Sequence, residues 1–148
     1  MPTMLGSQLS RRELQKIIFD FAKKHDTAAL GTMGPAGVRV SPVKYYTADD
    51  LNVYIPSRGG GKFNNLAVNS QVCLLIAEPF QDNCEQIKGI QFFGTAQVFE
   101  PRDEEYHIAV KLCPWDYPVG ARLIRVFVER GVYVDRLGGE HIKEEWRR

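Results

Sequence analysis

Residues 38–77 read VRVSPVKYYTADDLNVYIPSRGGGKFNNLAVNSQVCLLIA, and this stretch decides the fold. Short runs rich in Val, Tyr, Ile and Leu are broken by turn formers, the pattern of antiparallel strands with tight connections. Val38–Tyr46 and Leu51–Pro56 read as two strands separated by the polar turn Thr47-Ala-Asp-Asp50. A Gly-rich loop, Ser57-Arg-Gly-Gly-Gly61, leads into a short helix over Lys62–Val68, and Gln71–Ala77 reads as a buried strand. Pro42 cannot donate to a ladder, so it belongs on an edge strand or at a bulge. On a regular strand Arg39 and Lys44 face opposite sides. A bulge at Pro42 would shift the register by one residue and bring both cations to one face.

Outward from this stretch the pattern persists. Upstream, Ser10-Arg-Arg-Glu13 is a capping box, with Leu9 and Leu14 placed as a hydrophobic staple. Leu14, Ile17, Ile18, Phe21 and Ala22 then recur at helical spacing, which predicts a docking helix ending near Lys24. Thr27–Met33 is a β-prone run closed by Gly34-Pro35. Downstream, Ile87–Phe99 reads as a long strand with Gly89 and Gly94 as bend or bulge points. Tyr106, Ala109, Val110 and Cys113 mark a helix after Pro101. Leu123–Val128 and Val132–Val134 read as a final hairpin turned at Glu129-Arg-Gly131. The sum is a mainly β domain of six or seven antiparallel strands with helices at its margins. Closure into a small barrel would remove exposed edges; pattern alone does not separate barrel from sandwich.

At 148 residues the chain is one domain's worth, 1–148. Its 19 Lys+Arg against 18 Asp+Glu leave a net charge of +1, without the basic excess of a nucleic-acid binder. The longest apolar run, Val72–Ala77, falls far short of the ~20 residues of a membrane helix. Met1–Ser7 has no signal-peptide pattern, so a cytoplasmic protein is expected. Cys73, Cys84 and Cys113 form no CxxC pair, and His25, His107 and His141 lie far apart, so no metal site is expected. Gly61-Lys62 ends like a phosphate-binding P-loop, but Phe63 stands where that motif needs Ser or Thr, and Pro56 where it needs Gly. There is no GxGxxG or GxSxG, Asp103-Glu-Glu105 suits a helix start, and no side chain stands out as a catalytic acid or base.

What remains is a set of cations: Arg39, Lys44 and Lys62, beside a Gly-rich loop and a helix start. They suit a phosphate monoester; the alternative is three solvated surface cations. Trp115, in Cys113-Pro-Trp-Asp-Tyr-Pro118, is either a stacking platform or a packing anchor for the second helix.

Arg39-Val-Ser-Pro-Val-Lys44, Val53-Tyr54-Ile55, Gly61-Lys62-Phe63-Asn-Asn-Leu66 and Asn69-Ser-Gln-Val72-Cys-Leu-Leu75, in that order and spacing, resemble the core of pyridoxamine 5′-phosphate oxidase and its relatives, the flavin-binding split barrels. The likeness covers roughly residues 25–100, with a weaker echo in the last hairpin. It implies a six-stranded antiparallel split β-barrel that forms a homodimer with FMN at the subunit interface, acting with a small-molecule substrate or electron donor. By the same likeness Arg39 and Lys62 would bind the FMN phosphate, and Lys44 would lie near the flavin ring or ribityl chain. Val40, Ser41, Pro42 and Val43, with Tyr54, Ile55, Pro56 and Ser57, would line the cofactor. Arg58, one residue off the family's spacing, would either share the phosphate role or be merely solvated. Gly61 would belong to the same cofactor site, and Gln91 would come from the neighbouring subunit. The oxidase itself ends in a Trp followed by Arg-Leu-His-Asp-Arg. Here Arg136-Leu137 is followed by Gly-Gly, so pyridoxamine phosphate is not the expected substrate. Relatives of this short kind include flavin reductases, FMN-binding stress proteins, and barrels that hold haem or a deazaflavin. The readings are thus an FMN-dependent oxidoreductase, a non-catalytic flavin binder or electron carrier, or a haem barrel using His25, His107 or His141.

Overall fold

Helix α1 (Arg11–Lys24) starts as its capping box dictates: the Ser10 hydroxyl accepts from Glu13 N at 3.1 Å, and Glu13 Oε1 accepts from Ser10 N at 2.9 Å. Leu14, Ile18, Phe21 and Ala22 form its buried face, with Leu9 packed against the same cluster. The computed structural model describes residues 9–138 and 141–148; the expectation made for Met1–Ser7 lies outside them. After α1 come β1 (Thr27–Gly34), β2 (Gly37–Lys44), β3 (Tyr46–Thr47), β4 (Asn52–Ser57), α2 (Gly61–Leu66), β5 (Gln71–Ala77), β6 (Lys88–Phe99), α3 (Glu104–Leu112), β7 (Arg122–Asp135) and β8 (Ile142–Arg147).

The strands form a single antiparallel sheet in the order β2-β1-β5-β6-β7-β4-β3, with β8 paired to the far half of β7. β2 packs near β4 although the two ends of this order are not hydrogen-bonded to each other. The sheet is therefore curled and open on one side, a split barrel. Alternation along each strand fills the interior with Leu30, Ile55, Leu74, Ile76, Ile90, Phe92, Ile124 and Val126, and α1 closes one end. Phe19 stacks on Phe92 with centroids 5.2 Å apart and meets Trp146 edge-on at 5.3 Å. A second cluster lies on the outer face, where α3 and the segment after it cover Tyr46, Tyr54, Phe99 and Leu123.

Three expectations are corrected. Strand pairing from Thr27↔Lys44 to Gly34↔Gly37 runs without interruption, so there is no bulge at Pro42. That proline sits instead on the sheet's edge strand, where a missing N–H breaks no ladder. Consequently Arg39 and Lys44 lie on opposite faces. The last hairpin is absent: Leu123–Val128 and Val132–Val134 belong to one strand, β7. Its alternation slips by one because Arg130 pairs with Phe93 while Val128 pairs with Gly94, leaving Glu129 as the extra residue of a β-bulge. Finally, among the described residues the sheet has eight strands rather than six or seven. β8 was missed because Ile142-Lys-Glu-Glu-Trp-Arg147 is mostly charged, and Trp146, only 1% exposed, is its anchor in the core. Smaller boundary shifts split Val38–Tyr46 between β2 and β3 and end α2 at Leu66.

Candidate functional site

Arg39 points to the inner side of β2, opposite the buried Thr32. Its guanidinium crosses the start of α2 so closely that a Cβ on Gly61 would lie 2.7 Å from Arg39 Nε. Glycine at 61 is thus what lets Arg39 reach this position. Lys62 follows, only 8% exposed, with Nζ donating to the Gly59 carbonyl at 2.6 Å. Burial first, and the Arg39 charge second, hold its ammonium below the usual lysine range. Among the described residues no carboxylate lies within ion-pair distance of Arg39 or Lys62. Two like charges sharing a niche without a counter-ion repel each other and forgo hydration, costs that an anion placed between them would offset. α2 is only six residues long, too short for a strong macrodipole, so the two side chains carry this attraction rather than the helix end.

Arg122 is a neighbour that sequence reasoning passed over. It opens β7 opposite Ser57, its guanidinium lies 3.8 Å from the Phe63 ring centroid, and Glu100 is 3.7 Å away. It clamps Phe63, the residue after Lys62, from the next strand. Nothing local marks it; only the β4–β7 pairing brings it here.

Lys44 stands apart, on the outer face. Its Nζ is 3.6 Å from Asp26 and 4.9 Å above the Trp115 ring. Trp115 packs edge-on against Tyr46 within the α3 cluster, so it serves as a packing anchor. In that cluster the Tyr46 hydroxyl donates to the Ala109 carbonyl at 2.6 Å and also meets the Tyr117 hydroxyl. Burial, then Asp50, pushes the Tyr54 phenol up to about 12. These hydroxyls hold the loop rather than offer protons at neutral pH.

The remaining sequence candidates divide by exposure. Val43, Tyr54, Ile55 and Pro56 are buried, Ser41 and Ser57 half-buried, and Arg58 exposed. Val40, Pro42 and Gln91 lie on the outer face, Gln91 between Leu75 and Val132. This face is apolar and uncovered: Val38 is 80% exposed, Val40 71% and Leu75 45%. Among the described residues no helix is long and apolar enough to cross a membrane, and no cluster of three or more His, Cys, Asp or Glu could hold a metal.

Similarity searches agree with this architecture. The family model described as pyridoxamine 5′-phosphate oxidase matches residues 14–123. No curated protein sequence matches. Among solved structures, ChuZ of Campylobacter jejuni superposes with a TM-score of 0.70 at 18% identity, covering 93% of this chain and 61% of that one. A heme binding protein from Mycobacterium smegmatis gives 0.66 at 16% identity, over 95% and 59% of the two chains. General Stress Protein 26 from Bacillus anthracis gives 0.63 at 18% identity, over 91% and 98%. At these identities the structures attest to the fold; the family match, running from within α1 to the start of β7 and taking in both Arg39 and Lys62, attests to kinship. The chain belongs to the pyridoxamine 5′-phosphate oxidase family.

Proposed function

We propose that this chain binds FMN, gripping its phosphate with Arg39 and Lys62, and that it works as a homodimer in redox chemistry on a small molecule. The observation that carries the reading is the Arg39–Lys62 pair, two converging cations with no carboxylate partner among the described residues. A phosphate dianion fits that charge, and Gly59–Gly61 leave its approach free of side chains. Bound FMN supplies hydride and electron transfer, while the protein supplies orientation and electrostatics. Arg39 and Lys62 anchor the phosphate end. Lys44, held over Trp115 on the other face of β2, is the cation assigned to the ring or ribityl end.

The apolar outer face beside β2 supports the homodimer. Val38, Val40 and Leu75 are large apolar side chains left exposed on this face, the kind of surface a partner subunit covers, and Gln91 would reach a partner's cofactor from it. The mass expected by sedimentation is about 34 kDa, twice the 16.8 kDa chain. Titration by quenching of flavin fluorescence should reach one FMN per chain. A monomer that takes up FMN tightly would contradict the shared site, and absence of uptake would contradict flavin binding itself.

A haem-binding reading draws on the M. smegmatis neighbour, and it requires an iron ligand. His25 is engaged by Glu78 at 3.2 Å and sits against Phe21; His107 stands exposed on α3. His141 is exposed as well, and none of the three lies among the residues gathered around Arg39 and Lys62, so FMN is the reading preferred.

A further inference from the structure

Asn65 is completely buried, and its side chain does not belong to the apolar core around it. Its Oδ1 accepts from Ala36 N at 2.8 Å. Its Nδ2 donates to the Gly37 carbonyl at 2.9 Å and to Thr32 Oγ1 at 3.0 Å. The amide orientation follows from these partners, since the Ala36 N–H can only donate and the Gly37 carbonyl can only accept. One side chain thus brackets both limbs of the β1–β2 hairpin, from within the turn and from β1, to helix α2.

The positions it links matter. Gly37 is two residues from Arg39, and Asn65 is one helical turn after Lys62. Arg39 and Lys62 repel each other at close range, and that repulsion must be resisted if they are to stay together before an anion arrives. A buried, fully directed amide is suited to this, because any spreading of hairpin from helix leaves buried polar groups without partners. We propose that Asn65 is a positioning residue that preorganises the phosphate site, holding Arg39 and Lys62 together against Gly60–Gly61 at the start of α2. This inference rests on the reading of that pair as a phosphate site. Preorganisation of this kind raises affinity because the ligand need not assemble its own receptor.

The test compares FMN with riboflavin, which lacks the phosphate, by fluorescence titration of the full chain. Asn65→Ala should weaken FMN by about tenfold while riboflavin changes by less than about twofold. In an Arg39→Ala background the same change should cost FMN less than about threefold, because the residue it positions is already gone. Equal weakening of both ligands would make Asn65 a general structural support and overturn the proposal. A full tenfold FMN loss persisting without Arg39 would overturn it equally. Thr32→Val, which removes one partner and leaves the other two bonds, keeps the question answerable if Asn65→Ala does not fold. It should lower FMN affinity in the same phosphate-selective way by about threefold, and an unchanged riboflavin-to-FMN ratio would count against the proposal. Wild-type protein that binds both ligands equally would overturn the phosphate reading itself, and this inference with it; a wild-type preference left intact by Asn65→Ala overturns the inference alone.

Discussion

Arg39→Ala and Lys62→Ala should each cost FMN affinity about ten- to a hundredfold, with riboflavin nearly unaffected. A charge-assisted hydrogen bond contributes about 1.5–3 kcal/mol, and each ~1.4 kcal/mol is a factor of ten. Loss of one cation also removes its repulsion on the other, which trims the effect toward the lower figure. Lys62 is buried beside Arg39 and its ammonium sits below the ordinary lysine range, so it gives up its proton early as pH rises. FMN affinity should therefore fall on the alkaline side sooner than an exposed lysine would allow, and Lys62→Ala should flatten that part of the profile. Lys111→Ala, on the exposed side of α3, controls for net charge and should leave affinity within about twofold. Equal losses for FMN and riboflavin would assign these residues to the fold or the ring instead of the phosphate.

Gly94→Ala should be among the most damaging single changes in the chain. At the β6–β7 bulge a Cβ on Gly94 would stand 2.0 Å from the Phe127 carbonyl oxygen. That neighbour is backbone within the longest strand pair of the sheet and cannot swing aside. Relief requires opening the bulge, which would turn either Val126 and Val128 or Gly131 and Tyr133 away from the core. We expect a loss of about 3 kcal/mol or more, a fall in Tm of roughly 6–12 °C for a domain of this size. Gly138→Ala, where an added Cβ meets open space, should stay within about 0.5 kcal/mol. Calorimetry on both variants decides; a Gly94→Ala protein as stable as wild type would mean the bulge is far more plastic than its geometry indicates.

Gly94 also shows what the sequence disclosed and what it hid. Its position in a long strand marked it as a bend point, because glycine in a strand interior has a reason to be there. The partner side of the same bulge was misread. The slip in alternation at Glu129, followed by Gly131, has the signature of a turn, and only the continuous pairing with β6 shows that the chain runs straight through. β8 was invisible for a different reason: three of its six residues face solvent and carry charge, so its pairing edge is set by β7 rather than by its own composition. Elements with their own local signals were legible, as the capping box of α1 and the unbroken apolar run of β5 illustrate.

The site divides along the same line. Lys62 beside the Gly-rich loop is a local pattern, whereas the choice of Arg39 as its partner and the place of Gly61 come from the family resemblance, because position 39 lies more than twenty residues upstream. That Lys44 leaves them for the other face follows from the regular edge strand at Pro42, a property of pairing. Arg122 and Asn65 depend on topology altogether, since each acts on residues roughly thirty to sixty positions away in the chain. A buried asparagine is unremarkable in a sequence, and its three directed hydrogen bonds exist only in the fold.

The most direct measurement of the central claim is the visible absorption spectrum of the purified protein, before and after addition of FMN and removal of excess. The account predicts a flavin spectrum, present on isolation or acquired to one FMN per chain, and lost with Arg39→Ala under the same washing. A haem Soret band on isolation, or protein that stays colourless after exposure to FMN, would contradict it.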